Sequence, residues 1–379
     1  MAVTEQTRSF GFADIAPFTA CFLFVPLVVI AATQGGWWLL VVPAYAWYVT
    51  GLIDFINGKN SENIDPLTDE AALTPYRMIT LLWVPSQIGM ILWCLWYVPA
   101  AAHLNGLEKA LTMVALGVAT GGIGITFAHE MMHQKNRIER WSADLLMASV
   151  LYSHFRSEHL LVHHRYIGTP RDPVTARYGE SFHWFFPRVL VQCAQSSWRA
   201  EAELLSRKGK SPFEFSNPFW RYAALQSGFL ILAVILGGWL GLGLFVLQAF
   251  VAIAHLELIN YVEHYGLTRE HLGDGKYEHV KPHHSWNTDF AFTNYLLINL
   301  QRHSDHHYKP DRRFPLLQTY DRHSAPQLPL NYPLMVLMAL VPPWFWYRMN
   351  PKVDRWRAKF YPHITDWSDY NAASTPMPR

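Results

Sequence analysis

Histidines recur in this chain at spacings that gather several imidazoles on one side of a helix. His129 and His133 stand four apart in HEMMH, His159, His163 and His164 close HLLVHH, His303, His306 and His307 make up HSDHH, and His264 lies in NYVEHYG. Imidazole is a borderline ligand suited to iron, zinc, copper and nickel, so these clusters point to metal chemistry. Residues four apart share a helix face. On that spacing His159 and His163 are expected to aim together, while His164 turns to the adjacent face and reaches toward a second metal. His303, His306 and His307 repeat the same helical logic. Nine imidazoles exceed what one ion takes, so two metals are implied.

HEMMH also fits H-E-x-x-H, the zinc protease pattern with Glu130 as general base. That reading accounts for one box and leaves two without a task. His103, His183, His271, His323 and His363 are isolated and read as hydrogen-bonded surface residues. His154, His255, His279, His283 and His284 are intermediate, and the pair in KPHHSWN suits loop structure or a place behind the ligands. A metal-bound imidazole usually donates its other N–H to a carboxylate or carbonyl. Asp305, inside the third box, is the expected partner, with Glu130, Glu158, Asp172, Glu263 and Asp289 as weaker candidates.

The elements that carry these boxes read as membrane helices. Charged residues are 16% of the chain, below the roughly 25% of soluble domains. Mean hydropathy is only +0.03, too low for a chain that is all membrane. The pattern is one of apolar spans plus a polar cap. Six segments meet the need for about 20 apolar residues: 14–33, 37–56, 78–99, 108–129, 219–240 and 242–262. The first is too long, and too soon followed by another span, to be a cleaved signal peptide. With the amino terminus inside, the outer loops hold no Lys or Arg, and Lys109 alone of 31 basic residues lies near that side. The positive-inside rule then puts 57–77, 130–218 and 263–379 on the cytoplasmic face, with every histidine box.

The expected fold is an all-α membrane protein: one polytopic domain over 1–379, six transmembrane helices, and a cytoplasmic helical cap (130–218 and 263–370) holding the metal site. Within the cap, 140–156 carries apolar positions at helical spacing and 181–198 reads as an amphipathic interfacial helix. Segment 336–349, with Pro342-Pro343, reads as re-entrant or interfacial. The polar tail 371–379 reads as disordered. Cys21, Cys94 and Cys193 make no C-x-x-C, so neither a disulfide framework nor a rubredoxin-type module is encoded. The net charge of +2 says little about nucleic acid, and no basic block or nucleic-acid motif suggests such a partner, so none is expected. A metal transporter would place ionisable groups at mid-span, and the spans are nearly free of them.

HxxxH, HxxxHH and HxxHH boxes in a six-span chain resemble the membrane di-iron desaturase–hydroxylase superfamily. The fuller strings HEMMHQK (129–135), EHLLVHHRYIGTPRDP (158–173), NYVEHYGL (260–267), KYEHVKPHHSWN (276–287) and LQRHSDHHYKPDRRFPLLQ (300–318) are similar to the alkane 1-monooxygenases. The resemblance covers about residues 12–350. Val162 stands where other members often carry Gly.

The resemblance implies two irons held by His129, His133, His159, His163, His164, His264, His303, His306 and His307, without saying which binds which. It implies O2-dependent terminal hydroxylation of medium- to long-chain n-alkanes at a bacterial inner membrane. Electrons would come from rubredoxin, fed by its reductase and NAD(P)H. A membrane fatty-acyl desaturase is the alternative within the superfamily, and NYVEHYGL argues against it. Lys309, Arg312 and Arg313 are expected to help dock an acidic electron carrier, although positive-inside topology and anionic lipid explain the same charges. Trp47, Tyr48, Phe55, Ile125 and Leu258 are candidate tunnel residues by location, with ordinary helix packing as the favoured reading of each.

Overall fold

The computed structural model describes residues 10–373. Five helical stretches are long and apolar enough to cross a membrane: α1 (Phe12–Gln34), α2 (Gly36–Asn57), α3 (Glu70–Ala100), α4 (Gly106–Met132) and α8 (Pro218–His264). Between and after them lie α5 (Arg137–Ala148), α6 (155–166), α7 (Phe182–Ser206), α9 (Ala291–Leu296), α10 (His303–Tyr308), α11 (Tyr332–Ala339), α12 (Pro342–Phe360) and α13 (Ser368–Ala372). One departure from the all-α expectation is a small antiparallel hairpin, β1 (His271–Gly273) with β2 (Lys276–Tyr277).

The 47-residue stretch α8 is not straight. Gly238 has φ 61° and ψ −158°, outside helical space, a conformation open to glycine at little cost. Phe229 and Phe245 then stack with ring centroids 6.1 Å apart, where unbroken helix would separate them by about 24 Å. The chain therefore folds back on itself at Gly238. On the same side of the bundle, Asn105 caps α4 reciprocally with Glu108, whose other oxygen accepts from Gly36 N at 3.0 Å. One carboxylate thus ties the α1–α2 turn to the start of α4.

α4 is the most enclosed of the long helices. Small residues let α8 approach it: a Cβ on Gly117 would lie 2.7 Å from Gln248 O, and one on Gly121 2.7 Å from Ala252 O. Gln248 Nε2 donates to Thr120 Oγ1 at 2.6 Å inside this contact. From 120 to 125 the helix widens into a π turn before returning to α geometry at Thr126, so the register of His129 and His133 is set by that bulge. A second π turn spans Ala44–Val49 and a third spans His159–His163. Such turns are rare and concentrate at functional sites.

Two expectations about the cap change. Segment 140–156 is not one helix: α5 ends at Ala148, Leu151 takes φ 55°, and α6 begins at Phe155. Pro342-Pro343 does not interrupt a helix but starts α12, where a missing N–H costs nothing. The segment 181–198 is helical as expected and runs on to Ser206. Of the tail read as disordered, residues 371 and 372 close α13; residues 374–379 lie outside the described residues.

Candidate metal centre

The nine histidines converge from α4, α6, the end of α8 and α10 into two groups. His129, His133, His159, His164 and His306 form one, and His163, His264, His303 and His307 the other; within each, the candidate ligand atoms lie within 4.8 Å of one another. The α-helical expectation for the second box is corrected here. His159 and His164, five apart, fall in the same group, and His163 belongs to the other. The cause is the π turn, whose i to i+5 repeat brings residues five apart into line. In α10, ordinary α spacing puts His303 and His307 together and turns His306 toward the first group.

The nitrogens face one another at coordination spacing. His159 Nε2 is 3.0 Å from His133 Nε2 and 2.9 Å from His164 Nε2, and His164 to His133 is 3.2 Å. In the second group, His303 to His264 is 3.1 Å, His307 to His303 3.0 Å and His163 to His307 3.2 Å, all between Nε2 atoms. Ligand nitrogens about 2.1 Å from an ion and at right angles stand about 3.0 Å apart. Three neutral imidazoles facing inward cannot satisfy each other with single protons, whereas a cation satisfies all three. His306 Nε2 is buried without a hydrogen-bond partner among the described residues. The donor set therefore fits metal ions. Burial, reinforced by neighbouring imidazoles, pushes the pKa values of His133 and His303 down to about 3 and those of His159, His164, His306 and His307 well below the usual range. They stand neutral near pH 7, the form that ligates.

The carboxylates sort differently from the expectation. Asp172 contacts a ligand: its Oδ2 lies 3.0 Å from His163 Nδ1 and also accepts from Thr175 Oγ1. Glu263 approaches from the ligand side, with Oε2 3.2 Å from His303 Nε2 and Oε1 accepting from Tyr332 O–H at 2.7 Å. Asp305, the favoured candidate, holds Arg312, Gln318 N and Tyr320 O–H instead and locks the loop after the third box. Asp289 pairs with Lys59. Glu130 accepts from Gln134 and weakly from Phe314 N. Glu158 is fully buried, and neither oxygen has a hydrogen-bond partner among the described residues.

The basic trio also reads differently in three dimensions. Arg313 is buried and bridges Glu70 of α3 to Glu139 of α5. Arg312 is taken by Asp305, and only Lys309 stays exposed.

Glu278, His283 and His284 also cluster, but as a hydrogen-bonded network. His284 Nδ1 accepts from Lys281 N at 2.9 Å, so its Nε2 carries the proton that it gives to Glu278 and Tyr361. A nitrogen bearing that proton is not a ligand. Three of the five isolated histidines are hydrogen-bonded as expected, His103 to Ala32 O, His183 to Leu340 O and His363 to Glu270; His271 departs from the expectation, its Nε2 buried without a hydrogen-bond partner among the described residues. His154 packs on Tyr152, outside both groups.

An apolar pocket lies beside the four-histidine group, walled by Trp47, Val118, Ile123, Ile259, Leu297 and Tyr332, with His255 as one polar neighbour. Tyr332 belongs to this wall and also holds Glu263, so pocket and metal centre share a side chain. Of the candidate tunnel residues, Trp47 reaches the pocket. Tyr48 and Phe55 are more than half exposed, and Ile125 and Leu258 are buried and do not line it. Tyr332 had no signal in the sequence, standing far from every box.

The chain is similar to known proteins of one family. The fatty acid desaturase family matches residues 109–338. The chain is 36% identical to alkane 1-monooxygenase 2 of Pseudomonas aeruginosa, over 87% of this chain and 90% of that one. It is 38% identical to alkane 1-monooxygenase 1 of the same organism, over 81% of each. The xylene/toluene monooxygenase hydroxylase component of Pseudomonas putida is 30% identical over 67% of each. With two histidine groups gathered from the ends of two membrane-length helices and from the short helices α6 and α10, the chain belongs to the fatty acid desaturase family, on the branch of the alkane 1-monooxygenases, and is an integral-membrane oxidoreductase.

Proposed function

We propose that this chain hydroxylates the terminal methyl group of medium- to long-chain n-alkanes, using O2 and electrons from rubredoxin. The observation that carries the reading is an apolar pocket without a carboxylate or cationic anchor, joined through Tyr332 and Glu263 to His303 of the four-histidine group. Two irons would be held, one by His129, His133, His159, His164 and His306, the other by His163, His264, His303 and His307. When bound, they supply the redox chemistry that splits O2, one oxygen leaving as water and the other entering the C–H bond.

The chain's own residues bind, orient and exclude water. An alkane offers no polar handle, so affinity comes from burial, at roughly 0.8 kcal/mol per CH2. Ile123 lies six residues before His129 and Ile259 five before His264, about 9 and 7.5 Å along their helices. A chain seated between them presents its end first, and selectivity follows from position. Asp172 fixes the tautomer and orientation of His163. Tyr332 orients Glu263, keeping its second oxygen beside His303.

Topologically, the fold-back at Gly238 supports six spans rather than five. The near absence of Lys and Arg at that end supports a cytoplasmic histidine cap in the inner membrane. Three buried, separate cysteines provide no iron–sulfur site, so the electron donor is another protein or domain.

The deciding experiment supplies iron-loaded protein with rubredoxin, its reductase, NADH and dodecane. 1-Dodecanol from the native protein, lost in His133→Ala and His306→Ala, is the expected result. An alkene or no product refutes the reading, and metal analysis should return two irons per chain.

A further inference from the structure

With Arg312 and Arg313 held in ion pairs, Lys309 alone of that trio stays exposed, and a larger cluster of cations lies elsewhere. A cleft of about 330 Å3 is walled by Arg165, Arg171, Arg199 and Arg207. Among the described residues, no carboxylate comes within ion-pair distance of Arg165, Arg171 or Arg199; Arg207 has one partner, Glu203, at 2.6 Å, both half-exposed or more. The Arg165 and Arg171 guanidiniums lie 5.1 and 4.2 Å from the centre of the same Tyr166 ring, which preorganises them. Four arginines against one glutamate leave the lining three charges positive. Uncompensated charge focused in a cleft is an attractor for an acidic partner.

The floor of the cleft decides what kind of partner. It is formed by Leu161 and Val162, which belong to the π turn that carries His159 and His163, and Arg165 directly follows His164. The opposite side of this one segment presents nitrogens to both histidine groups. A molecule seated in the cleft is separated from the metal centre by about the thickness of a single helix, 10–12 Å. An anionic lipid headgroup or a free phosphate gains nothing from that proximity, whereas an electron donor requires it.

We propose that the Arg165–Arg171–Arg199–Arg207 cleft is the docking surface for a small acidic electron-carrier protein, which delivers electrons across the α6 segment to the metal centre. This deepens the proposed function and rests on its need for an external donor. The contact belongs to the small, transient class of redox interfaces. Its strength is set by charge and falls with salt. Arg199 sits on α7 and Arg207 caps its C-terminal end, away from the ligand-bearing segments, so they can be changed without touching a ligand.

The test reverses Arg199→Glu and Arg207→Glu together in iron-loaded, full-length protein in lipid nanodiscs, with the charge-keeping Arg199→Lys/Arg207→Lys pair as control. Turnover is driven either by reduced rubredoxin or by a small chemical reductant with a mediator. The expected result is a half-saturating rubredoxin concentration raised about tenfold or more in the reversal. Its ionic-strength slope should flatten, mediator-driven turnover should stay unchanged, and the lysine pair should stay near wild type. Unchanged rubredoxin dependence overturns the proposal. So does inhibition by inorganic phosphate far below the ionic strength at which sodium chloride acts, which marks a phosphate site. Weakened association with phosphatidylglycerol vesicles at unchanged rubredoxin dependence marks a lipid site and overturns it too. If native protein makes no alkanol with either reductant, the hydroxylase reading fails. The docking proposal is then decided by titrating oxidised rubredoxin onto native and reversed protein, where equal affinities refute it.

Discussion

His159 and His164 bring their Nε2 atoms to 2.9 Å although five residues separate them, while His163, four from His159, serves the other group. A π turn makes this pairing, and it has an energetic signature. Ligands of one ion act as a unit, so their losses do not add.

In double-mutant cycles read out as iron affinity, His159→Ala and His164→Ala are expected to be strongly coupled. His159→Ala and His163→Ala should be close to additive. The reverse ranking would mean that the second box is wound as an α-helix.

Asp172→Ala removes the acceptor at His163 Nδ1. Loss of such a partner typically costs 10–100-fold in metal affinity, and here the cost should fall on the four-histidine group alone. Stepwise chelation followed by metal analysis should find one iron released early and the other held as in the native protein. Simultaneous release of both would show that the groups are not independent.

Gly121→Ala places a methyl 2.7 Å from Ala252 O and 2.8 Å from its Cα. Overpacking against backbone is expected to cost about 1–3 kcal/mol, and pushing α4 off α8 should also lower iron content. Gly89→Ala on α3, whose Cβ meets nothing within 4 Å, is the control. Thermal melts of the two should differ by several degrees.

Acidification should release metal and destabilise the protein together. Burial holds His133 and His303 down at about 3 in the fold, against about 6.5 when unfolded. Between those values the unfolded chain binds more protons, so stability rises with pH and is lost as pH falls from about 6.5 toward 3. Protons compete with metal for the same nitrogens in the same direction. Melting temperature and iron content measured from pH 7.5 down to about 4 should decline in step; flat profiles would refute this.

Much of this was legible in the sequence, for reasons that also explain the rest. Hydropathy marks long apolar helices directly, and nine clustered histidines survive any error of a few residues in helix ends. The partition was not legible, because α periodicity says nothing about an inserted π turn. Asp305 looked like the natural partner by adjacency, yet on α10 it points away from the ligands toward Arg312 and Tyr320. Glu263 and Tyr332 meet across 69 residues, a contact that no local pattern records. Pro342-Pro343 carries the same signal whether it breaks a helix or begins one.

Arg313 joins the start of α3 to α5 through Glu70 and Glu139, acting as a rivet between the histidine cap and the membrane base. Mutational surveys that choose cations by their closeness to a histidine box will include it. Its reversal would set a like charge against Glu139, whose side chain is 1% exposed, leave it only the longer 3.4 Å contact with Arg77, and loosen the cap itself. Lost turnover in that variant would look like lost partner recognition while reporting collapse of the scaffold. Expression level and melting temperature therefore have to accompany every activity measured on this surface.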